Sequence, residues 1–268
     1  MGSLHTTIIK RLASSAVIIA ATYYLVFQAS FFAFICGIEV VTLVALYEFF
    51  TLVERKNIFI NKKLALLCGG ALPLFFYFPG ESIIIGATIL SIFLVNLDKK
   101  RDYSTLVTVA VTLLGILYVA WFFSFLAKTR CLQDGRLWVA FLLFVVKGGD
   151  AGAYIIGTKF GKIKLMKAIS PNKTIEGAAG GLLTSVGVAL CTKVMLPHIS
   201  LMQLAALGLV LGTLAQIGDL VESLIKREVG AKDSGIIPGL GGILDVLDSI
   251  LFTAPFLFYY LTAVLGIT

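Results

Sequence analysis

The sequence predicts an all-α integral membrane protein, a polytopic bundle of about nine transmembrane helices with its N-terminus in the cytoplasm. Two observations predict this fold class. Of the 268 residues, 59% are hydrophobic and the mean hydropathy is +0.99, whereas about half of a soluble chain is apolar. The apolar residues also fall into runs, and a run of about 20 residues is enough to cross a hydrocarbon layer.

The apolar runs follow one another with short polar turns between them. The first run follows Lys10 and Arg11, and we interpret it as an uncleaved span because a second run begins almost at once. Spans one to five have few ionisable groups, whereas spans six to nine carry several. The nine predicted spans are 13–29, 31–53, 64–78, 82–97, 104–127, 137–156, 175–195, 200–224 and 244–266.

Basic residues predict the orientation of these spans. With a cytoplasmic N-terminus, 17 of the 22 lysine and arginine residues lie on the cytoplasmic side, four lie on the other side and Lys147 lies within a span. This asymmetry follows the positive-inside rule. We expect a single transmembrane domain, 1–268, with scaffold spans in 1–135 and catalytic spans and cytoplasmic loops in 136–268. A bacterial inner membrane is the expected location.

Composition excludes several classes of function. The net charge of +7 follows from the loop lysines and favours contact with anionic lipid headgroups, and no nucleic-acid-binding module is present. The four cysteines show no CxxC spacing, so neither a zinc site nor a disulfide framework is predicted. His5 and His198 lie in the N-terminal tail and in an outside turn, which argues against a histidine-dependent site.

Ionisable residues within spans are costly, at roughly 2.5–3.5 kcal/mol each on insertion scales, and usually mark function. In the first half of the chain only Glu39 and Glu48 lie at membrane depth. We interpret both as paired between helices or near a span end, and neither is predicted to be catalytic. The second half contains a larger set, formed by Lys147, Asp150, Glu176, Asp219, Glu222, Asp245 and Asp248.

Two motifs near the C-terminus predict a metal and phosphate site. In GDLVESLIKR, the i, i+3, i+4, i+7 spacing puts four side chains on one helical face; a salt-bridged packing face is the alternative. In PGLGGILDVLDS, two aspartates lie three residues apart at the start of a helix. Hard divalent cations prefer carboxylate oxygens. The four side chains on the helical face of the first motif are Asp219, Glu222, Ser223 and Lys226. The predicted Mg²⁺ ligands, taken from both motifs, are Asp219, Asp245 and Asp248.

Cations lie between these motifs. Lys226, Arg227 and Lys232 would neutralise phosphate charge, and Asp233 would brace them or bind metal. Carboxylates for a metal together with cations for phosphate are the groups that phosphoryl or nucleotidyl transfer needs.

A second cluster is the stretch 150–177, DAGAYIIGTKFGKIKLMKAISPNKTIEG. Its glycines, its lysines and a Ser/Thr segment leading into a helix are suited to binding an anion, although the P-loop spacing is absent. A plain basic cytoplasmic loop is the alternative. The predicted substrate-binding residues are Asp150, Tyr154, Lys162, Ser170, Lys173, Thr174 and Glu176, together with Ser223 of the eighth span.

Taken together, these motifs resemble the phosphatidate cytidylyltransferase (CDP-diacylglycerol synthase) family. One part of the resemblance is the C-terminal signature, carried by Ser223, Lys226, Arg227, Lys232, Asp233, Gly235, Pro238, Gly241, Gly242, Asp245 and Asp248. The other is an upstream block, carried by Asp150, Tyr154, Gly157, Gly161, Lys162, Ser170, Pro171, Lys173, Thr174, Glu176 and Gly177.

The resemblance implies transfer of CMP from CTP to phosphatidate, giving CDP-diacylglycerol and pyrophosphate. It implies Mg²⁺, held by the three aspartates above, and an active site that faces the cytoplasm. A second, monovalent cation beside the Mg²⁺ is a further expectation. Expected partners are CTP, phosphatidate and membrane lipid, with no nucleic acid. Small-residue faces are compatible with a homodimer.

The chain departs from the family pattern at a few positions. Leu240 replaces the histidine before the glycine pair, Val246 replaces the arginine between the aspartates, and Ala151 replaces serine or threonine. The turn before the glycine pair is also one residue shorter. Alternatives therefore stay open: a CTP-dependent enzyme acting on another lipid phosphate or a lipid alcohol, a catalytically impaired or regulatory relative, and an ion-coupled transporter that uses the intramembrane carboxylates.

Overall fold

The computed structural model describes residues 14–74, 81–97, 104–235 and 241–268. These residues form helices joined by short turns, and one small hairpin. The helices are α1 (Ser14–Gln28), α2 (Phe31–Glu54), α3 (Lys62–Leu74), α4 (Glu81–Val95), α5 (Thr105–Cys131), α6 (Gly135–Phe160), α7 (Ile175–Cys191), α8 (Leu201–Glu228) and α9 (Ile243–Val264). A π-helical segment, Ile116–Trp121, lies within α5.

Every predicted span coincides with one of these helices, and six of them are long and apolar enough to cross a membrane. The six are α2, α5, α6, α8, α9 and α7 with the 3₁₀ turn that follows it. Within the described residues, α1, α3 and α4 have 15, 13 and 15 residues, fewer than the roughly 20 that a span needs. A nearly all-α architecture with six helices long and apolar enough to cross a membrane is confirmed, whereas nine spans and a cytoplasmic N-terminus stay predictions.

The described chain forms two compact units. The first contains the described residues up to Lys128 and those between Glu228 and Val246, and the second contains Thr129–Arg227 and Leu247–Thr268. Leu46, Phe49 and Phe50 of α2 are buried in the first unit, while Trp138 and Phe141 of α6 are buried in the second. The single-domain assignment stays a prediction, and the described residues around Asp245 pack with the N-terminal helices.

Side-chain caps fix where several helices begin. Ser200 and Gln203 form a reciprocal cap at the start of α8: Gln203 N donates to Ser200 Oγ at 3.2 Å and Ser200 N donates to Gln203 Oε1 at 3.0 Å. Such caps satisfy backbone N–H groups that have no partner within the helix. They fix the starting point of the helix that carries Asp219.

A two-stranded antiparallel hairpin follows α6. Its strands are β1 (Lys164–Met166) and β2 (Ser170–Thr174). The sequence analysis predicts only a loop here, because basic residues and a proline in so short a segment give no strand periodicity. The hairpin is the one departure from an all-α fold among the described residues, and it carries Lys173 and Thr174.

Small residues allow α6 and α7 to approach closely. A Cβ atom added to Gly177 would lie 2.9 Å from Ala153 O, and one added to Gly181 would lie 2.9 Å from Ala153 Cβ. The same holds where α8 crosses α7, since a Cβ on Gly212 would lie 2.8 Å from Ser185 Cβ. The sequence has two GxxxG spacings here, Gly177 to Gly181 and Gly208 to Gly212, and both serve helix packing.

We expect Gly152→Ala to destabilise this packing. The new Cβ would lie 2.5 Å from Thr184 Cβ, and Thr184 is held by a 2.8 Å hydrogen bond from its Oγ1 to Gly180 O. Overpacking of this kind lowers the free energy of unfolding by about 1–3 kcal/mol. Thermal unfolding of the detergent-solubilised protein measures the effect.

Gly187→Ala is the matched control, because no atom lies within 4 Å of a Cβ added there. Its helix propensity should leave stability unchanged or raise it by up to about 1 kcal/mol. Equal unfolding midpoints for the two variants would contradict the packing argument.

Candidate functional site

Three aspartates from three helices lie near one another in the second unit. We call Asp150 of α6, Asp219 of α8 and Asp248 of α9 the carboxylate cluster. Asp248 is only 7% exposed, and it interacts electrostatically with the other two aspartates and with Lys147. Like charges at membrane depth repel strongly, so this cluster needs cations to be stable.

Lys147 supplies one of these cations. Its Nζ donates to Asp150 Oδ2 at 3.2 Å and to Ser249 Oγ at 2.9 Å, and Ser249 Oγ donates to Asp150 Oδ2 at 3.1 Å. Ser249 N also donates to Asp248 Oδ1 at 2.5 Å. Lys147 and Ser249 therefore link two of the three carboxylates into one hydrogen-bonded network.

Lys173 supplies a second cation. This residue of β2 forms an ion pair with Asp219, with Nζ and Oδ2 2.6 Å apart, and about a quarter of its side chain is exposed. The pair ties the hairpin to the middle of the predicted catalytic helix. It also joins two residues that the sequence analysis assigned to separate clusters, one for the phosphate and one for the metal.

The carboxylate cluster fits a magnesium site that substrate oxygens would complete. Among the described residues, no three His, Cys, Asp or Glu side chains form a group that could hold a metal ion. Mg²⁺, however, usually binds to one or two protein carboxylates, substrate phosphates and water. Asp219 and Asp248 provide two hard oxygen ligands, and a divalent cation between them would relieve their repulsion.

Two of the remaining polar residues of the α8 face form an ion pair with each other. Lys226 Nζ lies 2.5 Å from Glu222 Oε2, and Glu222 is completely buried. Ser223 is also buried. Arg227 Nε donates to Ile169 O at 3.2 Å, which fastens the end of α8 to the hairpin. The salt-bridged alternative thus describes Glu222 and Lys226, and the phosphate roles of Lys226, Arg227 and Ser223 stay predictions.

Thr174 and Glu176 organise the start of α7. Thr174 Oγ1 accepts from Gly177 N at 3.1 Å and caps the helix. The Glu176 carboxylate accepts from Lys162 N at 3.0 Å and from Ile163 N at 3.2 Å. These contacts shape the segment between α6 and α7, and the proposed roles of these residues in substrate binding remain predictions.

Other predicted substrate residues lie near this segment. Tyr154 is 72% exposed on α6, and Lys162 is exposed directly after that helix. Ser170 is half-buried at the start of β2. The structure gives these three no contact with the carboxylate cluster.

The first unit contains the third predicted metal ligand, Asp245. Its Oδ2 accepts from Ser234 Oγ at 2.8 Å, from Ser234 N at 2.9 Å and from Gly242 N at 2.7 Å. Asp245 thus binds both Ser234 and Gly242, which lie on either side of the undescribed residues 236–240. We call the described residues Ser234, Gly235, Gly241 and Gly242 the glycine-rich turn; Gly241 has φ +90°. Lys232 and Asp233 are exposed. A role for Asp245 as metal ligand stays a prediction.

The positions that depart from the family pattern lie in different parts of the chain and differ in their exposure to solvent. Pro238 and Leu240 lie outside the described residues. Val246 is half-buried in the first turn of α9, and Ala151 is exposed on α6.

Sequence analysis noted Lys147 and Glu48 without assigning them to these networks, and it did not identify Ser249 or Ser234. Lys147 had a local signal, since it precedes Asp150 by three residues within an apolar span and so shares its helix face. Ser249 follows Asp248 directly. Glu48 and Ser234 had no such signal, because their contacts join segments far apart in the chain.

Comparison with known proteins gives consistent matches. The profile of the Cytidylyltransferase family matches residues 9–264. A phosphatidate cytidylyltransferase of Staphylococcus saprophyticus is 45% identical over 150 residues, covering 55% of this chain and 57% of the relative. One from Staphylococcus epidermidis is 41% identical over 177 residues, covering 65% and 64%. One from Bacillus subtilis is 42% identical over 154 residues, covering 55% and 56%. The chain thus spans less than two thirds of the length of these relatives.

Proposed function

The chain belongs to the Cytidylyltransferase family, and on that premise we propose that it is a phosphatidate cytidylyltransferase. It would transfer CMP from CTP to phosphatidate, giving CDP-diacylglycerol and pyrophosphate. The named activity of relatives that are 41–45% identical supports this proposal.

The carboxylate cluster with its two lysines is the observation that supports the chemistry. It combines three aspartates and Lys147, all on helices long and apolar enough to cross a membrane, with Lys173 of the hairpin. A membrane lipid phosphate and a nucleotide triphosphate are both polyanions, so a site that joins them needs cations near the membrane. An ion-coupled transporter would also place carboxylates in spans, but it would not require the hairpin lysine to pair with Asp219.

In the proposed reaction, an oxygen of the phosphatidate phosphate attacks the α-phosphorus of CTP. A new P–O bond forms, the bond between the α-phosphorus and the oxygen bridging to the β-phosphorus breaks, and pyrophosphate leaves with that electron pair. Lys173 lies next to Asp219 and would neutralise charge on the phosphates. Mg²⁺ bound by Asp219 and Asp248 would supply further charge neutralisation. The network of Lys147 and Ser249 would hold Asp150 and Asp248 in place.

The membrane topology, location and partners of the enzyme belong to the same proposal. We propose nine spans with a cytoplasmic N-terminus in a bacterial inner membrane, and a site that opens to the cytoplasm, as the distribution of basic residues supports. We also propose a second, monovalent cation, which rests on the family resemblance, and a homodimer, which rests on the small-residue faces. CTP and phosphatidate are the proposed partners, and no nucleic acid is expected.

The position of a radiolabel in CTP tests this function directly. Detergent-purified protein is incubated with Mg²⁺ and either phosphatidate or diacylglycerol, in parallel with CTP labelled at the α- or the γ-phosphate. Transfer of the α-label to lipid in the presence of phosphatidate is the expected result. Transfer of the γ-label to diacylglycerol would overturn the proposal in favour of a lipid kinase.

Two variants of α8 accompany the assay. Asp219→Asn should abolish transfer of the α-label. Glu228→Gln, on the same helix, is the control, because Glu228 is 76% exposed and forms only a surface pair with Lys56, which contributes little. Absence of label transfer from a folded parent protein, under conditions in which a Bacillus subtilis relative is active, would also overturn the proposal.

A further inference from the structure

Glu48 binds the start of α9 from a distant helix. It lies in α2, near the end of a span, and its carboxylate receives two backbone hydrogen bonds: Ile243 N donates to Oε1 at 3.1 Å and Leu244 N donates to Oε2 at 2.9 Å. These are N–H groups of the first turn of α9, which have no acceptor within the helix. A carboxylate that caps them also interacts favourably with the helix dipole.

The glycine-rich turn leaves space for this carboxylate. A Cβ atom added to Gly235 would collide with Glu48 Oε1, and one added to Gly242 would collide with Glu48 Oε2. Neither glycine has a positive φ, so conformational freedom does not explain why glycine is present at these two positions. Their missing side chains instead allow Glu48 to reach the backbone.

Ser234 connects Glu48 with Asp245. Its hydroxyl lies 3.3 Å from Glu48 Oε2 and 2.8 Å from Asp245 Oδ2, while Asp245 N lies 3.3 Å from Ser234 Oγ. A hydroxyl has one proton to donate, and the shorter contact assigns it to Asp245. Glu48 and Asp245 therefore hold the same turn, one through the helix N–H groups and the other through Ser234 and Gly242.

We propose that Glu48 is a positioning residue, which fixes the glycine-rich turn and the first turn of α9 so that Asp245 has one orientation. Its effect on turnover rests on the proposed function and on the predicted role of Asp245 as a metal ligand, whereas its effect on the turn rests on neither. Glu48 acts on the backbone and has no assigned contact with substrate. Small misplacements of reacting groups cost about 10²-fold in rate, so loss of this contact should appear in kcat.

Glu48→Gln tests the proposal with little change in size. A carboxamide has one acceptor oxygen, and its NH₂ group would face one of the two backbone N–H donors. We expect kcat to fall by about 10- to 100-fold, with the KM for CTP within about threefold of the parent because substrate contacts are retained. Glu48→Asp keeps both acceptor oxygens on a shorter side chain and should give an intermediate kcat.

Glu39→Gln is the matched control on the same helix. Glu39 is another carboxylate of α2, and within the described residues its Oε2 has no hydrogen-bond partner. Its carboxylate packs beside Gly70 of α3 rather than at the glycine-rich turn. Glu39→Gln should therefore leave kcat and KM unchanged.

Hydrogen exchange provides a readout that does not depend on catalysis. Amides in a peptide covering 241–248 should exchange faster in Glu48→Gln than in the parent, whereas Glu39→Gln should leave them unchanged. Equal exchange in the parent and Glu48→Gln would overturn the proposal, as would a kcat for Glu48→Gln within threefold of the parent. An inactive parent would overturn the proposed function, and exchange would still decide whether Glu48 holds the turn.

Discussion

Replacing Asp248 by Asn is expected to lower the rate of CDP-diacylglycerol formation by about 10²- to 10³-fold, the size of effect that follows loss of one group stabilising charge in a transition state. Asn has nearly the same shape, and its carbonyl oxygen can still accept the hydrogen bond from Ser249 N. The variant therefore removes one negative charge from the carboxylate cluster and little else.

Stability should respond in the opposite direction. Asp248 is buried beside Asp150 and Asp219, and a buried charge near like charges opposes folding. Asp248→Asn should therefore unfold at the same temperature as the parent or higher, with its activity lost. Initial rates at saturating CTP and a thermal unfolding curve on the same preparation separate these two effects.

The magnesium dependence gives a further check on Asp248. If this aspartate helps to bind the ion, residual activity of Asp248→Asn should require a higher Mg²⁺ concentration for half-maximal rate, whereas Glu228→Gln should follow the parent. Full activity in Asp248→Asn, or lost activity together with lost stability, would contradict the assigned role.

The helical architecture could be predicted from sequence because each membrane-spanning segment is recognisable from its own apolar residues. Apolar length requires no knowledge of neighbours, so segments such as 31–53 and 200–224 coincide with α2 and α8 to within a few residues. The helices α1, α3 and α4 each border residues outside the described ranges, so the predicted spans 13–29, 64–78 and 82–97 are described only in part or up to that border.

The hairpin escaped prediction for a different reason. β1 has three residues and β2 has five, including Pro171, so neither strand is long enough to show alternation of polar and apolar residues. Glu176 holds this segment in place, because its carboxylate accepts hydrogen bonds from the backbone N–H groups of Lys162 and Ile163. Such contacts between side chain and backbone leave no periodic trace in the sequence.

Parts of the candidate site were predictable to the degree that their contacts are local. Asp219 and Asp248 were identified from helical spacing and from the family signature, and the structure brings them together in one unit. The ion pair of Lys173 with Asp219 and the contact of Glu48 with α9 join segments 46 and about 195 residues apart. Only the folded chain reveals such pairs, which is why the sequence indicated only that Glu48 is paired between helices or lies near a span end.

Lys147→Met is expected to lower the free energy of unfolding, because it removes a cation that balances two carboxylates. In the parent, Lys147 Nζ binds Asp150 and Ser249, and it also interacts with Asp248. Breaking a fully buried pair costs about 3–5 kcal/mol. The side chains of Lys147 and Asp150 are 41% and 38% exposed, so we expect a smaller loss, of about 1–3 kcal/mol.

The double variant Lys147→Met/Asp150→Asn shows whether charge balance is the cause. Removing Asp150 along with its partner leaves no unpaired charge at that position, so the double variant should recover more than half of the lost unfolding free energy. Its transferase activity should stay low, because Asp248 then lacks the cation that lies near it. Equal destabilisation in the single and double variants would instead mean that Lys147 stabilises the helices through its packing, with its charge playing no part.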